Sequence, residues 1–193
     1  MLTRAITTEE PCRCCGHAQE NIEHIAVCDK AGQIFESLAD LAGVKPKGDR
    51  EWLRWGLFAI CPEQGVREPG ALAKPLLATT PPIWVSMHLL LWKQLIALLT
   101  RVDTENEKFA LEKVWAPAWI RLERKIKAMQ TVFLEARRRK IARGEPPPNT
   151  KRLAWITKPL TLLNDEGDLE WNAELRNKIL SLSGKGNAGP TAP

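Results

Sequence analysis

Four of the five cysteines and two of the three histidines fall between Cys12 and Cys28. Within that window, Cys12-x2-Cys15-x8-His24-x3-Cys28 sets two thiols across a tight turn, then an imidazole and a third thiol four residues apart. Side chains four apart on a helix leave the same face, so the second pair can converge on the point gripped by the first. Three sulfurs and one nitrogen form the ligand set of a closed structural zinc site. The expectation is one structural Zn2+ held by Cys12, Cys15, His24 and Cys28, with Ile22 and Ile25 packing a short helix beneath it. Two alternatives stay open: Cys14 in place of Cys12 or Cys15, and His17 in place of His24. Cys61, beside Pro62, reads as structural. A four-ligand site has no open coordination position, so it orders the segment rather than activating water. Metal binding is then coupled to folding.

The remaining composition is that of a globular chain. Of 193 residues, 44% are hydrophobic and 26% charged, which excludes a wholly disordered chain or a collagen-like fibre. Five cysteines are too few, and of the wrong parity, for a secreted disulfide scaffold. The N-terminal stretch MLTRAITTEEPCRCC lacks the apolar core of a secretory signal. The longest apolar run, Ile83 to Leu99, is interrupted by His88 and Lys93 and is shorter than a bilayer span. These features predict an intracellular protein of the nucleus or cytoplasm, with no membrane partner.

Charge is unevenly distributed. Between Pro117 and Leu160, twelve Lys/Arg face three Glu for a local net of +9, whereas the other 16 basic and 20 acidic residues sum to −4. Nine of those cations, Arg121, Arg124, Lys125, Lys127, Arg137, Arg138, Arg139, Lys140 and Arg143, oppose only Glu123 and Glu135 between residues 121 and 143. A helix bearing them is a candidate for salt-sensitive, sequence-independent contact with RNA or DNA phosphates. A solvated surface without a partner is the simpler alternative.

Apolar periodicity predicts a mainly α fold, a small CCHC zinc-binding element followed by helices that include an antiparallel helical hairpin. Residues 1–11 read as a leader, 12–60 as the zinc element with short helices, and 61–82, with five prolines, as a connector. Ile34, Phe35, Leu38 and Leu41 recur at helical spacing before Gly43, a C-cap candidate, and Asp49 is placed to cap a helix carrying Trp52, Trp55 and Phe58. The hairpin is assigned to 83–143. Its first stripe is Val85, Leu89, Trp92, Ile96 and Leu99, and its second is Trp119, Leu122, Ile126, Met129, Phe133 and Ala136. Thr100–Asp103 is expected as the turn, Thr104 and Glu107 as a capping box, and Pro117 as a kink or stop. Gly144 and Pro146–Pro148 end the basic arm, and 144–183 reads as a linker and C-terminal helix. A small hairpin, or a turn before a helix, fits Leu160–Trp171, and 184–193 reads as disordered. Apolar residues left over on the hairpin would suit a helical protein partner.

Catalytic signatures are absent. The sequence has no GxxxxGK[ST], GxSxG or HExxH. Pro11-Cys12-Arg13-Cys14-Cys15 fits half of a zinc deaminase motif, but no histidine precedes Cys12 to supply the other half. His88 has Ser86 nearby and no third partner, and is expected as a satisfied core histidine.

The run Cys12-Arg-Cys-Cys15-Gly, continued by Glu20-Asn-Ile-Glu-His24-Ile-Ala-Val-Cys28, resembles the zinc-binding element that follows the polymerase domain in reverse transcriptases of non-LTR retrotransposons. The matching positions are Cys12, Cys15, Glu20, His24 and Cys28. The resemblance implies a zinc element followed by Trp-containing helices, compatible with Trp52, Trp55, Trp84 and Trp92, and a nucleic-acid partner. With no tyrosine in the chain, the family's Tyr-x-Asp-Asp motif is absent. What is implied is a non-catalytic tail element of an RNA-directed DNA polymerase, without the polymerase domain.

Overall fold

Asn21 starts the first helix: its Oδ1 accepts the backbone N–H of His24 at 2.7 Å, the N-cap role that asparagine fills well. That helix is α1 (Ile22–Val27), and α2 (Gly32–Ala42), α3 (Gly48–Phe58), α4 (Pro82–Glu105), α5 (Glu112–Ala142) and α6 (Lys151–Thr157) follow. A hairpin of β1 (Thr161–Leu163) and β2 (Leu169–Trp171) and a last helix, α7 (Ala173–Leu182), complete the order. The computed structural model describes residues 11–16, 19–59, 82–105, 108–164 and 169–184. The expected leader up to residue 10, most of the Pro-rich connector with Cys61, His17, Glu107 and the tail beyond Gly184 lie outside them. The described residues are mainly helical with a CCHC cluster near the N-terminus, as the periodicity predicts.

Local signals fix several boundaries. Gly43 ends α2 at φ 68°, a left-handed conformation that glycine adopts without strain, and Ile34, Phe35 and Leu38 are fully buried as predicted. Asp49 does not cap α3. It lies in the first turn, and the Lys47 N–H at the N-cap donates instead to the Glu51 carboxylate at 2.6 Å. Trp55 is buried, whereas Phe58 at the helix end is 62% exposed. β1 and β2 pair antiparallel with Thr161 opposite Trp171. α6 is an addition: the stretch read as linker contains a short helix that buries Leu153 and Thr157.

The hairpin departs from expectation in three places. First, α4 runs through Thr100–Asp103 to Glu105, so the expected turn is helix and Thr104 lies inside α4 rather than at the start of a new helix. No glycine or proline interrupts that stretch, and the Thr100 hydroxyl donates back to the Ile96 carbonyl at 3.0 Å, within the helix. Second, α5 does not stop at Pro117 but continues beyond it. A proline inside a helix costs about 3 kcal/mol. Here it sits in the second turn, flanked by Val114, Trp115, Ala118 and Trp119, all buried, and their burial offsets that loss. Third, the first stripe is only part of the buried face. Trp92 and Leu99 are buried as predicted, together with Ile83, Trp84, Met87, His88, Leu91, Leu95 and Leu98, but Leu89 is 64% exposed and Val85 and Ile96 are only half-buried. α4 is covered by α5 and α6 as well as by α2. A helix apolar on most of its circumference gives periodicity no single face to select. Pro82–Val102 has the length and hydropathy to cross a membrane, but 56% of its apolar window is buried inside the chain.

One continuous core links the cysteine-rich segment to the hairpin, running from Cys12, Cys14 and Cys28 through Phe35 and Trp55 to Trp84, Trp115 and Trp119. Gly56 sits where α3 meets α1: a Cβ there would lie 3.0 Å from both the Ala26 Cβ and the Ala26 carbonyl oxygen. Gly56→Ala should gain about 1 kcal/mol of helix propensity and lose about 1–3 kcal/mol to overpacking against backbone. A net fall in urea stability is the expected outcome.

His88 is the satisfied core histidine expected from the sequence. Its Nε2–H donates to the Gly56 carbonyl at 2.8 Å, and Trp92 Nε1–H shares that acceptor at 2.7 Å. Burial pushes the imidazole below its ordinary range, against the opposing pull of the Gly56 and Trp55 backbone. A depressed pKa means that the unfolded state binds the proton more readily. The neutral ring's contribution is therefore complete above about pH 6.5 and is lost as pH falls below it. Urea midpoints measured from pH 7.5 to pH 5 should fall more steeply in the wild type than in His88→Gln, which cannot charge.

Candidate metal centre

Backbone geometry builds the first half of the cluster. Pro11 and Gln19 pair as an isolated antiparallel bridge, and between them the chain turns with Gly16 N–H donating to the Cys12 carbonyl at 2.7 Å. Gly16 takes φ 78°, which favours glycine at that corner. The turn presents Cys12 and Cys15 to the same side. α1 supplies His24 from its middle, and Cys28 follows as the C-cap with extended backbone, φ −62° and ψ 137°. The helix therefore ends one residue short of the fourth ligand.

The ligand atoms of Cys12, Cys15, His24 and Cys28 all lie within 4.8 Å of one another, close enough to hold one metal ion. Cys12 Sγ stands 3.9 Å from Cys28 Sγ, and Cys15 Sγ stands 3.4 Å from His24 Nε2. Cys12 and Cys28 are buried, while Cys15 and His24 are half-buried at the rim. Burial pushes the Cys28 thiol up to about 11 against the stabilising N–H groups of Ala31 and Lys30. Bringing a cation among such thiols favours their deprotonation.

Of the open alternatives, Cys14 stands outside the group of four. It is buried beside them, and burial together with Cys12, Cys28 and Glu20 pushes its thiol far above the ordinary range. The alternative with His17 falls outside the described residues.

Sequence reasoning missed the partner of Glu20. This carboxylate is fully buried. It accepts the Arg13 backbone N–H at 2.9 Å and Arg13 Nε at 2.9 and 3.0 Å, with Arg13 Nη2 as a further donor. Arg13 Nη1 donates at 3.1 Å to the carbonyl of Leu99, late in α4. One side chain between the first two cysteines thus ties the loop both to itself and to the hairpin. An arginine within the Cys-x-x-Cys turn and a glutamate just before α1 are the signals that would have pointed to it.

The basic residues lie on the other long helix. α7 and β2 pack on its first half: Trp119 meets Trp171 edge-on at 5.7 Å, and Arg176 pairs with Glu123 at 3.1 Å while lying 5.8 Å from the Trp171 ring. Beyond Ile126 no described residue is buried until Leu153, so the second half of α5 extends from the core. The second stripe accordingly fades from buried Trp119, Leu122 and Ile126 to half-buried Met129 and Phe133 and exposed Ala136. Arg121, Arg124, Lys125, Lys127, Arg138, Arg139 and Arg143 are exposed, and Arg137 and Lys140 are half-buried. Trp55, Trp84, Trp92, Trp115 and Trp119 are core residues, not stacking platforms.

With this geometry in place, comparison with protein-family models, with curated proteins and with solved structures finds no match.

Proposed function

We propose that the cluster holds one structural Zn2+ and that the chain is a non-catalytic nucleic-acid-binding module whose α5 contacts RNA or DNA phosphates. The distances within the CCHC group carry the zinc reading. Tetrahedral zinc with Zn–S of about 2.3 Å and Zn–N of about 2.0 Å sets sulfurs about 3.8 Å apart and sulfur about 3.5 Å from nitrogen. The Cys12–Cys28 and Cys15–His24 separations of 3.9 and 3.4 Å are close to those values, and all four ligand atoms lie within 4.8 Å of one another. Bound there, the ion would cross-link the turn to α1. The resemblance of Cys12–Cys28 to the element of non-LTR retrotransposon reverse transcriptases is consistent with both parts of this reading. The zinc and α5 reading assigns the chain no catalytic step.

Support for the nucleic-acid part is the extension of a cationic helix past the core, where phosphates can reach it without displacing packed side chains. A fluorescent oligonucleotide titrated with the purified chain at two salt concentrations should show binding that weakens steeply with salt. Absence of any shift at low salt would remove this part and leave the metal site untouched. A second reading, a helical protein partner, is favoured by one observation: Val132, Leu134 and Ile141 are exposed on the same extension.

A further inference from the structure

The cations of α5 fall into two groups. Arg121, Arg124, Lys125 and Lys127 form the first, Arg137 to Lys140 with Arg143 form the second, and residues 128–136 contain no Lys or Arg. At 3.6 residues per turn, Arg121, Arg124, Lys125 and Lys127 share a side of the helix with Arg138, Arg139 and Arg143. All seven are exposed, and that side is opposite buried Leu122 and Ile126. Three of them have acidic neighbours, Lys127 with Glu123 at 3.3 Å, Arg139 with Glu135 at 3.6 Å and Arg143 with Glu145 at 3.9 Å. Such exposed pairs are worth little and yield readily to phosphate. Arg121, Arg124, Lys125 and Arg138 have no ion pair among the described residues.

Resting on the nucleic-acid reading, we infer that this ridge bridges the two phosphate rims of a groove of duplex DNA, one cluster to each strand, without reading sequence. The cluster centres are about 23 Å apart at 1.5 Å per residue. The B-form major groove is about 12 Å wide between its rims, and adding the phosphates and the reach of Arg and Lys side chains spans that separation. A single strand carries phosphates at short, regular intervals and gives no use for a nine-residue gap. The A-form RNA major groove is narrow and deep, a poor seat for a helix laid across it.

The test is competition binding of the intact protein to a mixed-sequence DNA duplex of about 20 base pairs, to each of its strands, and to the matching RNA duplex, at one salt concentration. Duplex DNA should bind at least about tenfold tighter than the others. Arg124→Gln/Lys125→Gln and Arg138→Gln/Arg139→Gln should each weaken duplex binding and each lower the salt slope by about two. Unchanged helicity and metal content would show these surface variants to be folded. Equal affinity for single strands or for RNA duplex, or dispensability of either cluster, would overturn the bridging geometry while leaving nucleic-acid binding intact. No binding to any of the probes would overturn both.

Discussion

Chelation under reducing conditions should unfold the segment from Pro11 to Cys28 and release α1 from α3. α1 has six residues, far below the length at which a helix holds in water by itself. It is fixed from one side by the cluster and from the other by the close approach of Ala26 to Gly56. Structural zinc contributes about 10–16 kcal/mol to the folding of small zinc-finger peptides, so its removal outweighs any single side-chain loss in this chain. Amide hydrogen exchange before and after chelation reads the effect directly. Protection should collapse across residues 19–28 and decline in α2 and α3, while the contact face of α4 and α5 retains most of its protection. An exchange pattern unchanged by chelator would mean that the four side chains come together without a metal.

Arg13→Ala should produce a stability loss comparable to truncating one of the buried core tryptophans. It leaves the fully buried Glu20 carboxylate with only the Arg13 backbone N–H as a donor among the contacts above, and removes the bond to the Leu99 carbonyl. Breaking one side of a buried ion pair costs about 3–5 kcal/mol, more than the pair is worth against an apolar replacement. Hence Arg13→Met/Glu20→Leu should be more stable than Arg13→Ala, and a double-mutant cycle in urea should report strong coupling. If Arg13→Ala costs less than about 1 kcal/mol, the pair is no anchor of the loop to α4.

The helical architecture was legible where a local signal coincided with one-sided burial. α2 is the clearest case: Ile34, Phe35 and Leu38 face the core, and Gly43 closes the helix in a left-handed turn. The CCHC group was legible for the same reason, because ligand spacing is a local property and the chain supplies a turn and a helix to match it. α4 was misread at its face because it is packed between layers, so Leu89 and Leu91 looked equally apolar while only Leu91 is buried. The position of its end was misread because Thr104 gives the same capping signal inside a helix as at its start. Pro117 was given too much weight as a stop: it sits in the second turn and forfeits one helix hydrogen bond, but the burial of the tryptophans around it holds the helix together. The Arg13–Glu20 pair spans only seven residues and was within reach of the local sequence, whereas the packing of α6 on α4 and the Arg13 bond to the Leu99 carbonyl depend on partners distant in sequence, and no local pattern encodes a contact across 86 residues.

The central claim is the metal, and its most direct measurement is the metal content of chain purified under reducing conditions, wild type beside Cys15→Ser/His24→Ala. About one zinc per chain in the wild type and none in the variant is the predicted result. A folded wild-type chain without metal, or a variant that keeps its zinc, would contradict it.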